Sequence, residues 1–503
     1  MDEPLTLADP ASPLRGLRRP RRGRLTVVSN RVAPITEGEP TNGGLAAGVL
    51  DALGEKGGLW FGWSGETTEG ETVARPERRR GEIRLLTFDL SQRDYDEYYR
   101  GFANGALWPA LHDQPHLARF EWEEFAGYKR VNALFARALA ANLSPEDPVW
   151  VHDYHLFCLA EALRAEGVAN RLGFFLHTPF PAPSVFMTIP AHAELARALC
   201  RFDLIGFQTE ANRMAFEDYI LREAGGRRLP SGRLAAFGRA VQTAVYPIGV
   251  DVDEVRRQAE AEANRRQAAR LGASLGGGKL VLSVDRLDYS KGLKQRFAAF
   301  EHFLETRPEH HGAVTFVQIA PPSRSDIETY REIRTELEGE AGRINGRFAE
   351  LDWMPLHYLN KGFARHLLMP LYALAEVGLV TPLKDGMNLV AKEYVAAQDP
   401  ENPGVLVLSQ FAGAAADLDA ALLVNPYDRT GVAEAIARGL AMGRAERRER
   451  HAALVAALRR NSLERWRDRF LADLAGEQSA IPYQPAAIAL AGGSGLAHWG
   501  SAA

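Results

Sequence analysis

Cysteine is almost missing: the 503 residues hold only Cys158 and Cys200. Two cysteines cannot build a disulfide framework or a Cys-rich zinc site, and they fit a reducing compartment, so a cytoplasmic location is expected. No apolar run comes near the ~18 residues that a transmembrane helix needs. An excess of either charge is lacking too, since 60 Lys and Arg against 64 Asp and Glu leave a formal net charge of −4. Without a global basic field, neither nucleic acid nor a membrane is an expected partner. The pattern Gly-x-Gly-x-x-Gly does not occur, and the Gly278-Lys279 pair runs on into Leu280, not into Ser or Thr. Dinucleotide oxidoreductases and P-loop enzymes therefore lose their main signature. No His-Glu-x-x-His stands beside His152-Asp153-Tyr154-His155, and no metal or other cofactor is expected.

What is present describes an ordinary globular protein, 46% hydrophobic and 25% charged, too long for one core and so divided into two domains. Arg15, Arg18, Arg19, Arg21, Arg22 and Arg24 make the start basic. The short strand-like Leu25–Ser29 follows them, and no signal-peptide apolar region does, so a solvated tail over residues 1–23 is expected. Residues 485–503, rich in Ala and Gly, read as a second loose tail.

Between the tails, β-branched runs alternate with helical periodicity, the pattern of doubly wound α/β structure. Strands are expected at Leu25–Ser29, Val149–His152, Gly173–His177, Leu204–Gln208 and Val245–Ile248. A second set falls at Lys279–Val284, Val314–Ile319, Glu376–Val380, Val405–Leu408 and Leu422–Val424. Val131–Ala141, Leu293–Glu305 and Val432–Met442 carry apolar positions at helical spacing. The polar stretch Gly249–Gly278 divides two units of similar size. Polar loops follow the strands in both, and ligands of open α/β sheets bind beyond the carboxyl ends of strands. Two such ends facing each other would form an interdomain cleft.

Five loops carry candidate chemistry. Arg286 and Lys291 bracket a turn before Gly292, either a diphosphate site at a helix N-terminus or an ordinary salt-bridged loop. Asp385-Gly386-Met387-Asn388 precedes a helix that runs through Leu389, Val390, Ala391, Lys392 and Glu393. Gly386 there suggests a tight turn, the following amides an anion cradle, Glu393 an acceptor for ribose hydroxyls, and Asp385 either a ligand or an N-cap. Asp153 and His177 stand just past strand ends, as sugar ligands or as satisfied structural groups. Gly43-Gly44 could let backbone approach a phosphate. The aromatic runs Gly57–Gly65 and Leu107-Trp108-Pro109 are either core or sugar platforms. Three Asp-x-Asp pairs, Asp94/Asp96, Asp251/Asp253 and Asp417/Asp419, lie in unrelated contexts and read as chance.

Taken in order, Val28-Ser29-Asn30-Arg31, Gly43-Gly44-Leu45, Gly58 to Gly65, Asp96-Glu97-Tyr98-Tyr99, Trp150 to Leu156, Phe175 to Pro181, Asp288 to Gly292 and Asp385 to Ala397 resemble the blocks of the trehalose-6-phosphate synthase family. The blocks cover nearly all of the chain between its tails. The resemblance implies a retaining glycosyltransferase of the two-domain GT-B type, two facing Rossmann-like domains with the active site in the cleft between them. It implies an acceptor domain over residues 24–249 and a nucleotide-sugar domain over 250–455. A helical segment, 456–484, would return to the first domain.

It also implies metal-independent transfer of glucose from a nucleoside diphosphate glucose, with UDP-glucose the expected donor and the nucleobase preference left open, to glucose-6-phosphate. Arg31, Tyr99, Trp108, Asp153 and Arg324 would hold the acceptor. Gly43, Gly44, Arg286, Lys291, Phe363 and Leu389 through Glu393 would hold the donor. His177, Asp385, Arg286 and Lys291 would act at the reacting bond. Glucosylglycerol-phosphate synthesis from glycerol-3-phosphate, and a silent nucleotide-sugar sensor, are the two alternative readings. Homo-oligomerisation is left open.

Overall fold

The computed structural model describes residues 23–33, 44–54, 57–274, 278–324 and 327–477. Strands β1 (Thr26–Arg31), β2 (Gly58–Thr68), β3 (Ile83–Ser91), β4 (Val149–His152), β5 (Leu172–Phe175), β6 (Leu204–Phe207) and β7 (Arg239–Val245) pair in parallel. Their order is β3-β2-β1-β4-β5-β6-β7. Short antiparallel strands extend both edges, Val73–Ala74 and Arg78–Arg80 beside β3, and Leu234–Ala236 and Arg227–Arg228 beyond β7.

The second sheet uses β8 (Lys279–Val284), β9 (Val314–Ile319), β10 (Leu356–Leu359), β11 (Val377–Val380), β12 (Val405–Ser409) and β13 (Leu422–Val424), in the order β10-β9-β8-β11-β12-β13. It is parallel throughout. Both are Rossmann-like, and in each the strand order reverses beside the first strand. A crevice therefore opens between β1 and β4 and another between β8 and β11.

The helices that matter for the site are α1 (Gly44–Leu53), α2 (Trp122–Ala140), α3 (Leu293–Thr306), α4 (Glu328–Phe348), α5 (Arg365–Leu374), α6 (Leu389–Ala397), α7 (Arg444–Arg460) and α8 (Leu463–Ala475). A π-helical run, Tyr95–Leu107, leads into the short helix Trp108–Leu111. Residues 1–22 and 485–503 of the two expected tails fall outside the described residues, and so does Gly43, whereas Gly23 is described and packs on the Glu146 backbone. Among the described residues no helix is long and apolar enough to cross a membrane.

Four strands of the two parallel sheets differ from the sequence expectation: β2, β3, β7 and the edge strand β10, which no expected run covers. β2 occupies the Gly- and Trp-rich segment, where Gly62 is needed because a Cβ would stand 2.2 Å from the Ser29 carbonyl oxygen of β1. The alternation in β3, with Ile83, Leu85, Phe88 and Leu90 buried, slips at Leu86-Thr87, which hid it. Val245–Ile248 is not the paired segment: β7 ends at Val245, and Tyr246, Ile248 and Val250 are apolar because they are buried at the crossing between domains. The polar divide folds as two helices, Val252–Glu260 and Glu262–Ser274.

The chain crosses between the domains at Ile248-Gly249 and returns at Asn461-Ser462, and the two crossings touch. A Cβ on Gly249 would lie 2.1 Å from the Asn461 carbonyl oxygen. After the return, α8 packs on the first sheet, with Phe470 stacked on Trp150 at 4.6 Å. Gly173 and Gly206 on β5 and β6 make the room, since a Cβ at either would come within 2.9 Å of the Phe470 ring. One apolar cluster runs from Val27 and Trp150 through Ile248 to Leu282, Val380 and Trp466, so the two domains share part of their core.

Candidate active site

Among the described residues, the loops bearing Asp153, Arg286–Lys291 and Asp385 stand at the two switch-point crevices, and those bearing His177 and Arg324 follow the neighbouring strands. After β1, Arg31 projects beside Trp63, its guanidinium carbon 6.0 Å from the indole centre. Gly65 (φ +95°) leaves that space, because a Cβ would fall 2.2 Å from Arg31 Nε. The π-helical run presents Tyr95 and Tyr99 as a stacked pair, and Tyr99 lies parallel to His155 at 5.7 Å. After β4, Asp153 adopts φ 74° and accepts from the His177 amide at 3.3 Å. Burial pushes its carboxyl up to about 6, against hydrogen bonds from the amides of Tyr154, His177 and Thr178.

His177, past β5, shares a hydrogen bond of 3.1 Å between its Nε2 and His152 Nδ1. Burial lowers His177 to about 3, so the ring is neutral at physiological pH. His152 was part of the cluster first weighed as a metal site. Its ring is wholly buried behind His177 and is likewise held neutral by burial.

In the second domain, β8 ends at a turn capped by Asp288, which accepts from the Ser290 amide. Gly292 adopts φ 66° and starts α3. Lys291 Nζ meets Asp385 Oδ2 at 2.5 Å. Burial opposes ionisation of Asp385, yet the Lys291 ammonium outweighs it and the carboxyl is held below its usual range. Arg286 is exposed beside Trp108, at 5.6 Å from the ring, and makes no ion pair among the described residues. Arg324, beyond β9, is buried, with its guanidinium 4.0 Å over Trp108.

The loop after β11 removes two readings that the sequence left open. The N-cap of α6 is Asn388 (φ 85°), whose side chain accepts from Ala391, so Asp385 is not the cap. Gly386 serves contact between domains and not a turn: its φ is unremarkable, but a Cβ would lie 1.9 Å from the His177 carbonyl oxygen. Lys384 bridges to Asp113 of the first domain at 2.7 Å.

A correction concerns Lys392. Its side chain is wholly buried and turned from the cleft, bonding the Ile248 carbonyl at 2.8 Å and Asp417 at 3.2 Å. An ammonium drawn into the hinge cannot also reach a ligand at the helix start. Glu393 pairs with Arg365 at 3.1 Å and is raised by burial. Phe363, Leu389 and Val390 are half-buried on the margin of the shared core, and Ala391 is buried within it. Leu389 and Val390 carry the first two amides of α6, which have no acceptor within the helix. Gly44 opens α1.

A cavity of about 560 Å³ lies at the β1/β4 crevice and reaches Arg286 and Arg324 of the second domain. Arg31, Tyr99, Trp108, Asp153, Arg286 and Arg324 all line it. His177, Lys291 and Asp385 form a second group, linked through Gly386 and the Lys291 ion pair. The sequence reading passed over Asn30, Tyr95, Tyr154 and His155, which also line the cavity. The last two adjoin Asp153 in the nominated motif, and that adjacency was the available signal. Asp288 was nominated only as part of a block. The Asp-x-Asp pairs have separate structural tasks: Asp94 holds Arg130, Asp251 caps a helix and Asp417 holds Lys392. Among the described residues no three His, Cys, Asp or Glu side chains gather as a metal site.

The glycosyltransferase family 20 model matches residues 22–476. The trehalose-6-phosphate synthase of Klebsiella pneumoniae is 52% identical over 451 residues, covering 90% of this chain and 95% of that protein. A UDP-forming α,α-trehalose-phosphate synthase from Burkholderia xenovorans, solved in complex with glucose-6-phosphate, superposes with a TM-score of 0.87 at 55% identity. The match covers 90% of this chain and all of that one. The E. coli protein bound with UDP-2-fluoro glucose gives 0.86 at 49% identity, over 92% of this chain and 100% of that chain. Two facing Rossmann-like domains are the GT-B architecture of these neighbours, and the chain belongs to glycosyltransferase family 20.

Proposed function

We propose that this protein transfers glucose from UDP-glucose to glucose-6-phosphate with retention, giving α,α-trehalose 6-phosphate and UDP. The observation that carries the reading is the single cavity in which Arg31, Tyr99, Trp108 and Asp153 of one domain meet Arg286 and Arg324 of the other. Three arginines suit a sugar phosphate on one side and a departing diphosphate on the other. The relatives at about half identity, with glucose-6-phosphate or a UDP-glucose analogue bound, support the same pair of substrates.

In this reading Arg31 and Arg324 take the acceptor phosphate, while Tyr99, Trp108 and Asp153 seat the sugar. Arg286, Lys291 and the free amides of Leu389 and Val390 face the donor diphosphate, with Phe363 and Glu393 toward the nucleoside. The acceptor hydroxyl oxygen bonds to the anomeric carbon as the carbon–oxygen bond to the diphosphate breaks, and its proton passes to the leaving phosphate oxygen. Negative charge grows on that oxygen, where fixed cations stabilise it most. Asp385 is engaged by Lys291 and by Asn388 at 3.0 Å. That occupancy supports a role in orienting the donor glucose, not in attacking it, and so favours front-face transfer. Neutral His177 serves as a hydrogen-bonding partner of the same sugar. Both cysteines are buried and free, in keeping with work in the cytoplasm.

The test is nucleotide release from UDP-glucose and other nucleoside diphosphate glucoses with glucose-6-phosphate, and the disaccharide phosphate identified as product. Release no faster than donor hydrolysis, or faster turnover of glycerol-3-phosphate, refutes the reading.

A further inference from the structure

Asp288 is wholly buried, and its carboxylate is saturated. Oδ1 accepts from the Ser290 amide at 2.9 Å, the Ser290 hydroxyl at 2.8 Å and the Trp108 indole of the opposite domain at 3.4 Å. Oδ2 accepts from Arg324 Nη1 at 2.9 Å and the Tyr330 hydroxyl at 3.0 Å. The Ser290 bonds shape the turn Tyr289–Lys291, which presents Lys291 to Asp385. The Oδ2 bonds set Arg324, whose backbone lies in the left-handed region (φ 48°). Arg324 also reaches the Tyr330 hydroxyl at 2.7 Å and, across the cleft, the Tyr154 hydroxyl at 3.2 Å.

A buried carboxylate without partners is costly, and these contacts offset that cost. Burial opposes its charge, but Arg324, Arg286, His112 and the Ser290 amide together hold Asp288 down at about 2, so it is ionised throughout the working range. The two oxygens have different main tasks, although Oδ1 also holds the acceptor-side Trp108 indole. One shapes the loop that bears the donor-side lysine, and the other aims the acceptor-side arginine.

We propose that Asp288 is a positioning residue that ties Lys291 and Arg324 into one unit, so that a single carboxylate sets the donor and acceptor subsites against each other. The proposal rests on the substrate reading given above. It assigns Asp288 no contact with either substrate.

The experiment uses the full chain and the variants Asp288→Asn, Asp288→Ala, Arg324→Ala and Asp288→Asn/Arg324→Ala, with KM for UDP-glucose and glucose-6-phosphate and kcat measured separately. Wild-type turnover of this substrate pair comes first, and its absence overturns the substrate reading and this proposal with it. Given turnover, Asp288→Asn keeps an oxygen for Ser290 but no charge for Arg324. Its acceptor KM should rise roughly tenfold while donor KM stays within about twofold, the size of one charge-assisted bond. Asp288→Ala should weaken the donor side as well. In the Arg324→Ala background, Asp288→Asn should add nothing further to acceptor KM, because the arginine it aims is gone.

Equal changes in both KM values, no change in either, or an undiminished effect in the double variant would overturn the assignment. Circular dichroism and thermal melting accompany each variant. If Asp288→Asn does not fold, the carboxylate holds the fold and not the subsites, and the proposal fails on that result too.

Discussion

Replacing Gly386 by alanine tests whether the two domains must meet as closely as they do. The added Cβ would sit 1.9 Å from the His177 carbonyl oxygen and 2.9 Å from its carbonyl carbon. A Cβ needs about 3.0 Å, so the gap at His177 is short by about 1.1 Å. Both sides of this contact are backbone, and no side chain can swing away. Retreat is blocked as well, because Gly413 packs so tightly behind that its own Cβ would be 1.9 Å from the Gly386 carbonyl oxygen. The domains must therefore part by roughly an ångström beside Asp385 and Lys291. A misplacement of that size costs on the order of a hundredfold in turnover, and overpacking costs about 1–3 kcal/mol in stability. The assay is steady-state UDP release with both substrates saturating, accompanied by thermal melting. Gly339→Ala is the control: it lies within α4 with nothing within 4 Å of the added carbon, so it should leave kcat unchanged. A Gly386→Ala enzyme with kcat within about threefold of wild type would refute the close-approach reasoning.

Turnover should be unaffected by a chelating agent, since Arg286, Lys291 and the α6 amides already supply positive potential; activity lost to chelation and restored by Mg²⁺ would contradict this. Removal of residues 1–22 should leave specific activity nearly unchanged. Among the described residues, the first contacts are made by Gly23 on the Glu146 backbone and by the Arg24 amide to Asp147 Oδ1 at 2.8 Å; a large loss of kcat in the truncated protein would count against the expectation. Acid should destabilise the fold through His177. Its folded pKa of about 3 lies below the ordinary 6.5, so the unfolded chain takes up a proton that the folded one refuses. The associated stability is complete above pH 6.5 and falls as pH drops toward 3, by about 3 kcal/mol at pH 4. Denaturation midpoints at pH 7 and pH 4 should accordingly differ less in His177→Gln than in wild type, and an equal difference would remove His177 as the cause.

The amino-acid sequence alone specified the alternation of strands and helices and the loops that follow the strands, and through its ordered motifs it specified the family. These features are local: β-branched runs, helical spacing and a glycine or polar residue at a strand end are written in neighbouring positions. Asp153 and Arg286 were legible for that reason, each lying just past a strand, whereas Arg31 and Arg324 entered through the family motifs.

Tertiary structure decided what depends on residues far apart in the chain. Asp288 meets Trp108 across 180 positions, and Arg324 meets Tyr154 across 170. Neither contact leaves a local mark. Lys392 sits in the right motif, yet packing draws its ammonium to the hinge carbonyl of Ile248, 144 positions away. Gly386 looks like a turn residue in sequence, whereas its missing side chain is needed by a carbonyl of the other domain. Sequence periodicity reports which face of an element is buried. It does not report what lies against that face, and in a site built between two domains the opposing surface determines what each side chain can do.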